Sequence, residues 1–268
     1  GRIGNWDTSF VNNFEECFAY SVVTASQNAP TIGSWDMDNA INLKGMFENV
    51  TWTSLGIGAW NFVVAQDFRR MFSGAANYNE DLNNWGSFGS TTATVTNMKG
   101  MFSGAASFTS DLNRWNVSNV LDMDNMFKGA TNFNGNIGRG TFSGWLPSSC
   151  TTMSGMLDGA ASFDKNIGGW DVSNVANMSD MFTGASSFST TNYDLLLEGW
   201  STQTLQNAVD LGVGTTQYSS GAPATARGVL TSAPNNWVIT DGGQVPDILI
   251  TQGGDTLITQ GGDTLIIN

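Results

Sequence analysis

Trp170-Asp-Val-Ser-Asn-Val-Ala-Asn-Met-Ser-Asp-Met-Phe-Thr-Gly-Ala-Ser-Ser-Phe188 decides the fold, because it is one copy of a unit that recurs through the first 200 residues. Its first trace is a Met-Phe pair: Met46-Phe47, Met71-Phe72, Met101-Phe102, Met126-Phe127, Met156-Leu157 and Met181-Phe182, with Cys17-Phe18 as a degenerate first copy. Its second trace is a series of tryptophans, Trp6, Trp35, Trp60, Trp85, Trp115, Trp145, Trp170 and Trp200, spaced by 25 to 30 residues. A fixed period in this range marks a solenoid or a propeller. Five-residue insertions in some copies favour a solenoid, where each insertion stays local.

Each unit reads as a short strand followed by a short helix, an α/β repeat of the leucine-rich type. Leu112-Asn-Arg-Trp-Asn-Val117 sets Trp115 and Val117 on one side of a pleat and Arg114 and Asn116 on the other. Ser118 or Asn119 is a candidate N-cap. Val120, Met123, Met126 and Phe127 then make one apolar stripe of a helix that ends at Gly129, as the copies at Gly104 and Gly184 do. A helix of about eight residues is not stable alone, so neighbouring copies must bury its stripe. Each buried aromatic removes roughly 150–250 Å² from water, about 4–6 kcal/mol gross.

The stretches "NWDTS", "WNVSNV..M..MF.GA..F" and "WDVSNVANMSDMFTGASSF" resemble the BspA-like leucine-rich-repeat surface proteins. The resemblance covers residues 4–200. The segment from Leu197 through Trp237 to Gly243 is similar to that family's terminal capping region. It implies a secreted or surface-attached protein that makes adhesive contacts, and it brings no catalytic residues.

The expected organisation is a solenoid of about seven repeats over residues 1–200, a capping region over 201–243 and a β-hairpin tail over 244–268. In the cap, Ala222–Leu230 is predicted as a helix, with Pro223 in its first turn, and Trp237–Thr240 as a closing strand. In the tail, Ile250-Thr-Gln-Gly-Gly-Asp-Thr-Leu257 repeats at Ile258–Leu265. The Gly-Gly pairs are turns between strands at Ile248–Thr251, Thr256–Thr259 and Thr264–Ile267. This tandem resembles tails of structural, fibre-like proteins of marine bacteria and their phages. It is read as an assembly element or as a second cap. The chain opens at Gly1 in mid-repeat, from which a processed N-terminus or a longer parent chain is expected.

Composition narrows the function. Ten Lys and Arg face 23 Asp and Glu, a net charge of −13. That argues against nucleic acid and anionic membranes, which select Lys/Arg stripes. No apolar run is long enough to span a bilayer. There is no histidine, so the commonest general base and metal ligand is missing. No Cys-x-x-Cys or phosphate loop appears, and the Glu15-Glu16 and Glu80-Asp81 pairs read as loops or caps. No catalytic residue, cofactor or resident metal is expected. Cys17 and Cys150 replace core residues about five rungs apart, too far to bridge.

The candidate site is the outward column beside each Trp: Asp7, Asp36, Asn61, Asn84, Arg114, Asn116 and Asp171. Two readings stand. In one, these side chains bond neighbouring backbone. In the other, they form a shallow face for a glycan or protein, with Ca²⁺ bound through Asp oxygens as a variant. The ladder tryptophans are expected inside, the alternative being an exposed carbohydrate platform; Trp52, outside the ladder, is a candidate contact. The expected function is non-enzymatic extracellular recognition or adhesion, at the cell surface or on a virion. The alternative is a structural or receptor-binding subunit of a phage appendage or filament, with homo-oligomer contacts through residues 247–268.

Overall fold

The computed structural model describes residues 3–22, 32–85, 94–138, 145–250 and 256–259. Successive copies of the unit lie on one another as stacked turns. Asn13, Asn42, Asp67, Asn97, Asp122, Thr152 and Asn177 are joined in that order by parallel bridges one residue wide.

The helix expected after each Trp is absent from the described repeats, and the bridges run through the segment assigned to it. The fifth turn shows why. Met123, Asn125, Phe127 and Gly129 donate their N–H groups to Thr152, Ser154, Met156 and Asp158 of the next turn, while Met126, Lys128 and Ala130 donate to carbonyls three residues back. Amides therefore alternate between the neighbouring turn and their own. Asn125 and Gly129 have positive φ, 55° and 69°. A left-handed residue every fourth position breaks a right-handed helix and leaves a chain of tight turns. Gly129 does adopt the conformation expected of a helix terminus, but it closes a turn. The strand expected at Leu112–Val117 is also a turn, closed by the Trp115 amide on the Leu112 carbonyl at 2.9 Å. Its inside–outside pattern is as read: Leu112, Trp115 and Val117 are buried and Arg114 is exposed.

The core consists of aromatic columns. Trp35, Trp60, Trp85, Trp115, Trp145 and Trp170 stack in sequence with ring centroids 6.0–6.5 Å apart. Phe47, Phe72, Phe102 and Phe127 make a second column at 5.4–5.6 Å, and Phe108, Phe133, Phe163 and Phe188 a third at 6.0–6.1 Å. Offset stacking adds about 0.5–1.5 kcal/mol per pair beyond area burial. Indole N–H groups cross-link the turns: Trp60 donates to Ile32 O, Trp85 to Ile57 O, Trp115 to Leu82 O and Trp170 to Ile137 O. Burial removes the platform reading for these rings. Trp52 is also inside, edge-on to Phe18 and Phe47. Cys150 is buried and free, but Cys17 is exposed rather than core, because it lies on the first of the described bridged turns.

The last repeat leads into α1 (Thr190–Trp200), which the repeat pattern concealed. Ser189 caps it, and Tyr193, Leu196, Leu197 and Trp200 form its buried face. The ladder continues through β1 (Asp210–Gly212), bridged at Leu211 to Met178, then through β2 (Val238–Thr240), parallel to β1. Between them α2 (Ala222–Thr231) packs on α1, with Pro223 in its first turn. Asp241 fastens this end by accepting from the Tyr193 hydroxyl at 2.6 Å and Arg227 Nε at 2.7 Å. In the tail, β3 (Asp247–Ile250) pairs antiparallel with β4 (Thr256–Thr259). The Gly-Gly pairs and the strand expected at Thr264–Ile267 lie outside the described residues.

Candidate functional site

The residues selected beside each Trp largely commit their polar atoms to local structure. Asp7 Oδ1 accepts from the amide and hydroxyl of Ser9, and Asp171 Oδ1 does the same from Ser173. Asp36 accepts from the Asp38 amide and Asn116 from the Ser118 amide. The Ser9 hydroxyl and amide hold the Asp7 carboxyl below its usual range. Across turns, Asn61 donates to Asp38, and the Arg114 backbone amide donates to Asn83. Asn84 is exposed. Asp7, Asp36, Asn116 and Asp171 thus form Asx turns whose oxygens face their own backbone. Among the described residues, no three Asp, Glu, Cys or His side chains converge as a metal site.

A second column was missed in the sequence. It runs one per turn along the bridged segment: Glu15, Lys44, Arg69, Lys99, Asp124, Ser154 and Ser179. Each stands two residues after a bridge residue and two before the Met of the Met-Phe pair, or before Cys17 in the first turn. That fixed offset was the available signal. The bridge residues shape this face: the side-chain oxygens of Asn42, Asp67, Asn97 and Asp122 each accept the amide two residues on.

On this face Lys44, Arg69, Arg70, Lys99 and Lys128 line one groove of about 550 Å³ that spans four consecutive turns. Half of the chain's ten cationic side chains therefore share one concavity. Carboxylates hold them in place. Lys44 pairs with Glu15, Arg69 with Asp67, Arg70 with Glu48 and Glu16, Lys99 with Asp124, and Lys128 with Asp158. Hydrogen bonds that the Lys99 and Lys128 ammonium groups donate to Asp124 and Asp158 keep them above the ordinary lysine range. Both lysines remain about half exposed, at 49% and 52%. Half-exposed pairs of this kind contribute about 0–1 kcal/mol each.

Of the two readings of Glu80, a loop residue or a cap, the structure has the cap. Its Oε2 accepts from the Leu55 and Gly56 amides and its Oε1 from the Gly58 amide, closing the neighbouring turn.

Three successive stretches, residues 1–93, 90–143 and 140–220, match the family model described as Mycoplasma protein of unknown function, DUF285. No curated protein matches the chain, and no solved structure does. Among the described residues, no helix is long and apolar enough to cross a membrane.

Proposed function

The chain belongs to the DUF285 family, and from that premise we propose a non-enzymatic recognition or adhesion protein, built as a leucine-rich-repeat solenoid of the BspA-like kind and displayed outside the cell. Its partner on this reading is a surface glycan or protein, gripped by contacts spread over several turns. The observation that carries the reading is the ladder. It repeats one bridge residue and one outward side chain on each of seven turns, which makes an extended surface with fixed side-chain spacing. Affinity on such a surface is a sum of modest contacts along the stack. The test is a binding screen of the purified chain against arrayed glycans and immobilised surface proteins. Saturable binding that weakens when outward ladder residues are replaced supports the proposal. A clean failure on both arrays, with the protein folded, removes it.

The β3–β4 hairpin favours a second reading, a subunit of a fibre or appendage. It forms a two-stranded sheet of its own among the described residues, and so small a sheet is marginal without a partner. Light scattering on the full chain and on a chain lacking residues 246–268 separates the readings. An assembly element predicts a lower oligomeric state with an unchanged melting temperature. A second cap predicts a monomer in both and a large loss of stability.

A further inference from the structure

We propose that the groove lined by Lys44, Arg69, Arg70, Lys99 and Lys128 binds a segment of anionic glycan carrying sulfate or carboxylate groups. The inference rests on the recognition reading and names the ligand class and the face.

The first argument is distribution. In a chain of net charge −13, five cations line a single groove, and among the described residues its walls include no carboxylate. Glu15, Glu16, Glu48, Asp67, Asp124 and Asp158 pair with them and fix their position. Each lysine ammonium has three donors, and the ion pairs use one carboxylate oxygen each on Lys44, Lys99 and Lys128. Donors therefore remain for an incoming anion. The groove is completed by Ser73, Ser103 and Asn125, hydroxyls and an amide suited to sugar hydroxyls.

The second argument is spacing. Lys44, Arg69 and Lys99 occupy the same position on three bridged turns, so they recur at about 4.8 Å. An extended peptide presents side chains on one side every two residues, about 6.8 Å, and falls out of step with that ladder. A chain of pyranose rings advances by about one ring per turn and can keep step. Single-stranded nucleic acid is disfavoured, because among the described residues no aromatic side chain lines the groove to stack a base. The chain's overall negative charge opposes a polyanion only at long range, being screened beyond about 8 Å at physiological ionic strength. Contact chemistry in the groove then decides, and the affinity must fall with salt.

The experiment titrates the full chain with a heparin-derived octasaccharide, its desulfated counterpart, poly-glutamate and single-stranded DNA. The variants are Lys44→Gln, Lys99→Gln and the double change Lys99→Gln/Lys128→Gln. Lys165→Gln, outside the groove, is the control, and melting curves accompany each protein. The expected result is salt-dependent binding of the sulfated glycan, at least tenfold weaker in the double variant and unchanged in the control. Loss of melting temperature in the double variant with binding intact means the cations only tie the turns together, and overturns the proposal. So does equal binding of poly-glutamate or DNA, or no binding of the sulfated glycan. If another glycan or protein binds elsewhere with the groove variants unaffected, the groove assignment falls and the recognition reading survives.

Discussion

The two ends of the stack are built from the same repeat and differ in what covers them. At the first turn, Trp6 is 59% exposed and Phe10 is 90% exposed, although Trp6 stacks on Trp35 as the inner tryptophans stack on one another. At the other end, Trp200, the last residue of α1, is fully buried and Trp237 closes on it edge-to-face. Identical side chains at equivalent places are thus surface or core according to whether a neighbour lies above them. In a quasi-one-dimensional molecule each turn contributes little except through its interfaces, so the cost of a substitution depends on its rung.

Truncation of a ladder tryptophan breaks this comparison hardest. Trp115→Ala empties a fully buried site and loses the indole bond to Leu82 O; it is expected to cost about 3–5 kcal/mol in chemical denaturation. Trp6→Ala is expected to cost under about 1 kcal/mol, since an exposed ring gives up little. Equal losses at the two positions would mean that the first turn is covered after all.

Next in size is the clasp of the capped end. Asp241→Ala strands Arg227 and the Tyr193 hydroxyl, and should cost about 2–3 kcal/mol, below the full penalty for a broken buried pair because Arg227 is partly exposed. Thermal melts of the variant measure it, and the loss of α1 helicity before the rest of the signal would locate it at this end.

The third prediction tests why the repeats are turns. A Cβ at Gly129 meets nothing closer than 3.9 Å, so Gly129→Ala reports the cost of positive φ alone, about 1–2 kcal/mol by denaturation. Gly135→Ala drives a Cβ into the Ser110 carbonyl oxygen and should exceed it. If Gly129→Ala were neutral, the left-handed residue would not be what prevents a helix.

The smallest expected effect is an acid-sensitive loosening of the capped end. Asp164 accepts from the Ser189 amide and hydroxyl and from Asn192 at the start of α1. Burial pushes its pKa up, and these hydrogen bonds outweigh it, leaving a pKa below the usual carboxylate value. A depressed folded pKa contributes stability above the unfolded value, near about 3.9. That stability is lost as pH falls through the folded one. Circular dichroism of wild type and Asp164→Asn should therefore differ at neutral pH and converge below about pH 4.

Much of this was readable from the residues. The Trp and Met-Phe periods gave the turns, and their apolar positions gave the inside. Ala222–Thr231 and Val238–Thr240 appeared as a helix and a strand where Pro223 and the Trp237-Val-Ile run placed them. The expected repeat helix failed because Val120, Met123, Met126 and Phe127 fit a helical stripe and a series of tight turns equally well. The discriminating signal was the Asn125–Gly129 pair, a four-residue spacing that recurs as Gly45–Asn49, Gly100–Gly104 and Gly155–Gly159, all at positive φ. α1 was hidden because its Trp200 kept the ladder's period. Cys17 was misplaced because the pattern records equivalence between turns and not which turn has another lying on it among the described residues. The cation groove was missed for a related reason: its side chains come from four turns, and only stacking brings them together.

Hydrogen exchange of the ten tryptophan indoles tests the stacked-ladder account most directly. Seven of them, Trp35, Trp60, Trp85, Trp115, Trp170, Trp200 and Trp237, donate to backbone carbonyls. Trp52 and Trp145 are buried with no acceptor among the described residues, and Trp6 is exposed. The account predicts strong protection for the seven, with the innermost Trp85 and Trp115 slowest, intermediate protection for Trp52 and Trp145, and none for Trp6. Rapid exchange at Trp85 and Trp115, or protection of Trp6 equal to theirs, would contradict it.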